Sequence, residues 1–239
     1  MKFFTSFPKK WDVFYNTFVN HNGYKEVLGG LQNTLIIAVL GLLIGIVIGT
    51  VIAAVKVIPP YKRVTRFFQR IGDIYVAFFR GTPMVVQLLL GYYVLFPMLG
   101  INMPVINVCV TIFGLNSGAY ISEIMRAGIQ SVDDGQMEAG RAVGLPFSTT
   151  MLKIVIPQAV KNILPTMGNE FIALIKETSV VSFVGAANLY TAFNMIGTNS
   201  YEFMVPYLVM AIIYIVIIML ISFGIKVMER GLQKSDRRH

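Results

Sequence analysis

The stretch LQNTLIIAVLGLLIGIVIGTVIAAVKV, residues 31–57, decides the fold. A helix needs about 20 mainly apolar residues to cross roughly 30 Å of hydrocarbon. This run supplies them with a single charged residue, Lys56, near its end, and Pro59-Pro60 closes it. Gly41, Gly45 and Gly49 recur every four residues and share one helical face. Such a small-residue stripe lets a second helix approach closely, the bland alternative being glycine scattered by chance in a lipid-facing helix. Further candidate spans cover about Met84–Leu99, Val105–Met125, Leu164–Val184 and Phe203–Ile225. The fourth is the weakest, because Asn169, Glu170, Lys176 and Glu177 interrupt it.

Composition agrees with an all-α integral membrane protein of about five transmembrane helices. Of 239 residues, 55% are hydrophobic and only 13% charged, against roughly 25% charged in a soluble domain. That leaves too little polar surface to solvate a globule, so the missing solvent is lipid. The net charge of +8 is spread between apolar runs, not gathered on one polar face, which argues for the bilayer and against nucleic acid as partner. The lone cysteine, Cys109, sits inside an apolar run and reads as a small buried hydrophobe. His21 and His239 have no ligand-like neighbours, so no metal site is expected. The first thirty residues hold Lys2, Lys9, Lys10 and Trp11 without an apolar stretch, so no cleavable signal is expected and the first span directs insertion.

Lysine and arginine placement predicts orientation. Basic residues fill the segment after span one (Lys56, Lys62, Arg63, Arg66, Arg70, Arg80), the segment after span three (Arg126, Arg141, Lys153, Lys161) and the tail (Lys226, Arg230, Lys234, Arg237, Arg238). The connections Gly100–Pro104 and Ala186–Glu202 contain none. Alternation then places the basic segments in the cytoplasm and the N-terminus outside, with Lys2, Lys9, Lys10 and Lys25 counting the other way. The expected organisation is an N-terminal extracytoplasmic segment (1–30), a membrane domain (31–228) with a loop at about 131–158, and a cytoplasmic tail (229–239).

Within that loop the chain reads Ser131-Val-Asp-Asp-Gly-Gln-Met-Glu138-Ala139-Gly140-Arg141-Ala142-Val143-Gly144-Leu145-Pro146. Asp133 or Asp134 is a plausible N-cap, and Gly144 followed by Pro146 stops the helix. About ten residues of helix are too short to span anything. Glu138-Ala139-Gly140, then Gly144, then Ile154-Val155-Ile156-Pro157 at the right spacing resembles the EAA loop of ATP-binding-cassette importer permeases. Gly140 stands where that pattern has a second alanine, and Ile156 where it has leucine. Phe79-Arg80-Gly81-Thr82-Pro83, Ser117-Gly118-Ala119-Tyr120-Ile121-Ser122-Glu123, Gly168-Asn169-Glu170-Phe171 and Lys176-Glu177-Thr178-Ser179 resemble the polar amino-acid subgroup. The likeness covers about residues 30–228.

The resemblance implies a type I importer permease in the inner membrane of a bacterium, its short cytoplasmic coupling helix docked in a groove of an ATPase. It implies as partners two ATP-binding-cassette ATPase subunits, a second permease subunit (the same chain or a homologue) and an extracytoplasmic solute-binding protein. ATP and Mg would bind on the ATPases, and no cofactor on this chain. The coupling residues would be Glu138, Ala139, Gly140, Arg141, Ala142, Gly144, Ile154 and Pro157. The chain has no G-x-x-x-x-G-K-[ST] phosphate loop of its own.

Ionisable groups inside hydrocarbon cost about 2.5–3.5 kcal/mol each on insertion scales, so they face a partner or a watery cavity. Asn169 and Glu170 are the candidates to line a substrate path, with Thr82 and Ser117 supplying hydroxyls for a substrate carboxylate. The competing reading is a structural ion pair or hydrogen bond holding span four to its neighbours. Glu123 is expected at the end of span three in a structural role, and Arg80 at the headgroups or paired with Asp73. A stand-alone secondary transporter or channel is the alternative function, weakened by the lack of internal repeats. No nucleophile–base pair or catalytic carboxylate pair emerges, so the chain reads as a transport subunit, not an enzyme.

Overall fold

The computed structural model describes residues 2–59 and 61–236, with side chains at 7–59 and 61–232. Pro60, Arg237, Arg238 and His239, together with the side chains of Lys2 and Lys234, lie outside the described residues. Within them the chain is helical and contains no strand. The elements are α1 (Lys2–Tyr15, prolonged by a widened turn at Asn16–Asn20), α2 (Gly23–Val57), α3 (Arg63–Gly81), α4 (Met84–Met98), α5 (Val105–Gln130), α6 (Asp134–Ala142), α7 (Phe147–Val184), α8 (Leu189–Ser200) and α9 (Met204–Asp236).

Among the described residues three helices, α2, α5 and α9, are by themselves long and apolar enough to cross a membrane. Two bent pairs, α3 with α4 and α7 with α8, bring the number to five when each pair counts as one span. The apolar window of α5 is 67% buried within the chain. On α9, Val205 is buried and Ile213, Tyr214 and Ile217 rest against the apolar core, while Ile212, Ile215, Met219, Leu220 and Phe223 stay exposed. An exposed apolar face of that length suits lipid as its solvent. Helix α2 begins at Gly23, eight residues before the apolar run starts. The basic segment after the first span is itself a helix, α3, and the connection 186–202, which holds no lysine or arginine, contains α8. Alone, α3 is too charged and α8, at 12 residues, too short to be a span.

The residues group into two compact units, each discontinuous in sequence. One comprises the chain up to Gly41, Met84–Phe113 and Leu174–Leu220. Its apolar centre is Phe14, Val27, Leu189, Ala192, Phe193, Ile196 and Val205. Beside it lies a buried polar knot built around Asn188. The Asn188 side chain accepts from the Thr191 N–H (2.7 Å) while Thr191 Oγ1 accepts from the Asn188 N–H (2.7 Å), a reciprocal cap that starts α8. Asn188 Nδ2 donates to the Thr178 carbonyl (2.6 Å), and Thr34 Oγ1 accepts from the Leu189 N–H (3.1 Å). Thr34, Thr178 and Asn188 are all fully buried, so each bond replaces water that cannot reach it. Lys10 ties α1 to Glu202 at 2.8 Å.

The other unit comprises Leu42–Pro83, Gly114–Ala173 and the chain from Ile221 onward. Here α2 and α5 interlock through small residues from both sides. A Cβ on Gly45 would lie 2.7 Å from Ser117 Oγ, and one on Gly49 2.7 Å from Ile121. Reciprocally, Ile44 fills the space over Gly114 and Ile48 that over Gly118. This is close backbone approach, which drives helix association where water does not. Gly41 is buried too. Helix α3 is fastened across the pair: the Tyr75 hydroxyl donates to the Leu115 carbonyl, and Gln69 Nε2 donates to the carbonyls of Val55 (3.2 Å) and Ile58 (2.8 Å). Gln69 thereby satisfies carbonyls that the end of α2 leaves without intrahelical donors.

Candidate functional site

The loop after α5 forms helix α6. Asp133 is its N-cap, the carboxylate accepting from the Gly135 N–H at 2.7 Å, and Asp134 occupies the first turn. The helix ends where Gly144 takes φ +86, a conformation that glycine adopts without strain. The Gly144 N–H then closes on the Arg141 carbonyl (3.0 Å) and the Leu145 N–H on the Gly140 carbonyl (3.1 Å). Gly140 is buried against Thr150, whose Oγ1 would lie 2.9 Å from a Cβ at that position. The missing methyl therefore makes room inside the chain: Thr150 occupies the space an alanine would need. Glu138, Ala139, Arg141 and Ala142 are exposed, as is Val143 at 77%. Ile154 is half-buried in the turn Met151–Val155, and Pro157 is exposed at the start of the long segment of α7. The result is a short, rigidly capped helix that presents a small, mixed-charge outer face.

The second feature is a charge cluster at the end of α5. Glu123 accepts from Lys56 Nζ of α2 at 3.0 Å and from Arg126 Nη2 at 2.7 Å. Lys56 also pairs with Asp73 of α3 at 2.9 Å, and Arg80 Nη1 lies 3.9 Å from Glu123. The Arg80 guanidinium stacks over the Tyr120 ring at 5.4 Å. Arg80 thus faces Glu123 and Tyr120, while the partner of Asp73 is Lys56. The Lys56 and Glu123 side chains are only 12% and 19% exposed, so the cluster is a structural tie between α2, α3 and α5.

The same groups border a cavity of about 530 Å³ lined by Arg80, Tyr120, Glu123, Arg126, Ser131, Asn162 and Thr166 among others. Asn162 Nδ2 donates to Ser131 Oγ at 2.8 Å, joining α7 to the end of α5. The four sequence candidates for a substrate path are not in that lining. Ser117 is fully buried against Gly45, its Oγ without a hydrogen-bond partner among the described residues. The Thr82 hydroxyl donates back to the Phe78 carbonyl at 2.8 Å at the end of α3. Asn169 is exposed and Glu170 half-buried on α7. Glu170 follows Asn162 and Thr166 at intervals of four, so the three share a face that runs from the cavity along the helix. Sequence reading missed Asn162 and Thr166, although that spacing was the signal that joins them to Glu170.

Apolar helices of spanning length, a capped helix offered outward and a polar cavity among the helices define a membrane permease. The chain belongs to a family described as the inner membrane component of binding-protein-dependent transport systems, which it matches over residues 41–234. It is 37% identical over 210 residues to the arginine transport system permease protein ArtQ of Bacillus subtilis (strain 168), covering 88% of this chain and 94% of that one. It is 38% identical over 206 residues to the putative glutamine transport system permease protein GlnP of Rickettsia bellii (strain RML369-C), covering 86% and 92%. A crystal structure of an amino acid ABC transporter with histidines superposes with a TM-score of 0.81 at 37% identity, covering 91% of this chain and 98% of that one. The chain is therefore the permease subunit of an ABC importer, a system that also contains a binding protein and an ATPase.

Proposed function

We propose that this permease carries polar amino acids inward, with ATP hydrolysed on two ATPase subunits held against its α6 helix. The observation that carries the reading is the outer face of α6: Glu138, Ala139, Arg141 and Ala142 stand exposed on a helix fixed at both ends. Opposite charges flanking two small side chains suit a groove in another protein, and the caps let a push on the helix reach α5 and α7. Closure of the ATPases shifts the permease only insofar as ATP favours one of its two states. A second permease subunit, identical or homologous, completes the assembly. The basic segments, including the one that holds α6, face the cytoplasm and the N-terminus lies outside, following the lysine and arginine placement.

The substrate class follows from the relatives, which carry arginine and glutamine by name, and from the polar face of α7. Glu170 offers a carboxylate to the substrate ammonium, and Asn169, Thr166 and Asn162 offer donors and acceptors along the same helix. Purification of the chain with its ATPase and binding protein, followed by ATPase assays against a panel of amino acids, tests the class. Stimulation by polar amino acids supports it, and indifference to the whole panel removes it. Glu170→Gln tests the route: assembly stays intact while uptake falls at least about tenfold, the worth of one charge-assisted hydrogen bond. Normal uptake by an assembled Glu170→Gln complex assigns Glu170 a structural role instead.

A further inference from the structure

Helix α3 carries a feature that transport does not use. Arg63, Arg66 and Arg70 recur at helical spacing and share one face, and all three are exposed. None forms an ion pair within the described residues. They border a cavity of about 420 Å³ with Phe67, Gln69 and Asp73, of which Asp73 is engaged by Lys56 at 2.9 Å. Lys62, whose ammonium can only donate, leaves the first N–H groups of α3 without a side-chain cap, so the positive end of the helix dipole adds to the arginines. On the adjacent face Phe67 (62%), Ile71 (47%), Ile74 (65%) and Phe78 (50%) are exposed.

The depth of this face is set by its hydrogen bonds. Gln69 bonds the carbonyls of Val55 and Ile58, where the apolar run of α2 stops. Gly72 in turn lies against Ile52, so α3 runs back along α2 and the arginines at 63 and 66 fall beyond the end of its apolar run, with the apolar stripe leading the other way toward Phe78. A basic face beside an apolar one at that end matches a helix seated among lipid headgroups. A second copy of the chain fits poorly, because a two-fold contact would set these arginines against their own images.

We propose that Arg63, Arg66 and Arg70, with the apolar stripe beside them, form a docking site for the phosphate headgroup and acyl chain of an anionic phospholipid. The full-length chain, reconstituted in phosphatidylcholine bilayers doped with spin-labelled phosphatidylglycerol or spin-labelled phosphatidylcholine, reports the preference as the motionally restricted fraction of each label. An arginine near an anionic surface contributes about fivefold to affinity. The wild type selects phosphatidylglycerol, and R63Q/R66Q/R70Q loses at least about fivefold of that selectivity with unfolding temperature unchanged. R63K/R66K/R70K keeps the preference, as does K226Q/R230Q, which removes exposed charge elsewhere. Full selectivity in the glutamine triple variant overturns the site, as does an equal loss in K226Q/R230Q. Efficient disulfide crosslinking between copies through Phe67→Cys, in a chain whose own Cys109 is buried, places a second chain on the stripe and equally overturns it.

Discussion

Neutralising Glu123 while keeping its shape, as Glu123→Gln, isolates the tie between α2, α3 and α5. The carboxylate is bonded by Lys56 at 3.0 Å and by Arg126 at 2.7 Å, with Arg80 at 3.9 Å. Removing one partner of a fully buried pair costs about 3–5 kcal/mol, whereas an exposed pair contributes about 0–1 kcal/mol. Glu123 and Lys56 are 19% and 12% exposed, but Arg126 is 39% and Arg80 47% exposed. Lys56 also retains Asp73 at 2.9 Å. The expected loss therefore falls between the two limits, about 2–3 kcal/mol. Denaturant unfolding in detergent micelles measures it, and Lys56→Met completes a double-mutant cycle. The two single losses should exceed that of the double variant by at least about 1 kcal/mol, because the second change removes a charge the first has stranded. A Glu123→Gln chain within about 0.5 kcal/mol of wild type, additive with Lys56→Met, refutes the tie.

Gly140→Ala forces a methyl onto Thr150 and should destabilise the α6 region by about 1–3 kcal/mol. Thr150→Ser removes the opposing methyl and restores most of that loss, which hydrogen exchange of the α6 amides can follow. Asn188→Ala removes the side-chain cap of α8, taking the acceptor from the Thr191 N–H and a buried donor from the Thr178 carbonyl. It should cost about 1–3 kcal/mol in the same unfolding assay.

The spans were legible where apolar runs were long. Residues 31–57 and 105–125 each fall within one helix, as does 203–225 but for Phe203, and the apolar run itself is the physical cause of insertion. Helix α3 was not legible as a helix, because four arginines within it read as a charged loop on a hydropathy basis. Its amphipathic spacing held the missing signal. The cap of α6 was readable to within one residue, since Asp133 and Asp134 are chemically alike and only backbone geometry separates them. Glu123 announced itself as a carboxylate in an apolar run, and Arg126 three residues on was a local partner, yet the bond to Lys56 depends on tertiary placement of α2 against α5. Arg80 was expected at the headgroups or paired with Asp73. The fold instead brings it to Glu123 and Tyr120.

Charge reversal on the exposed face of α6 tests the importer mechanism most directly. Glu138→Arg with Arg141→Glu swaps two exposed side chains, so insertion and unfolding should match wild type. In the reconstituted complex with ATPase and binding protein, substrate-stimulated ATP hydrolysis should drop at least about tenfold, the loss expected when a charge-paired interface is turned like against like. Undiminished stimulation in a correctly folded variant contradicts the assignment of α6 as the point where the motor engages the membrane subunit.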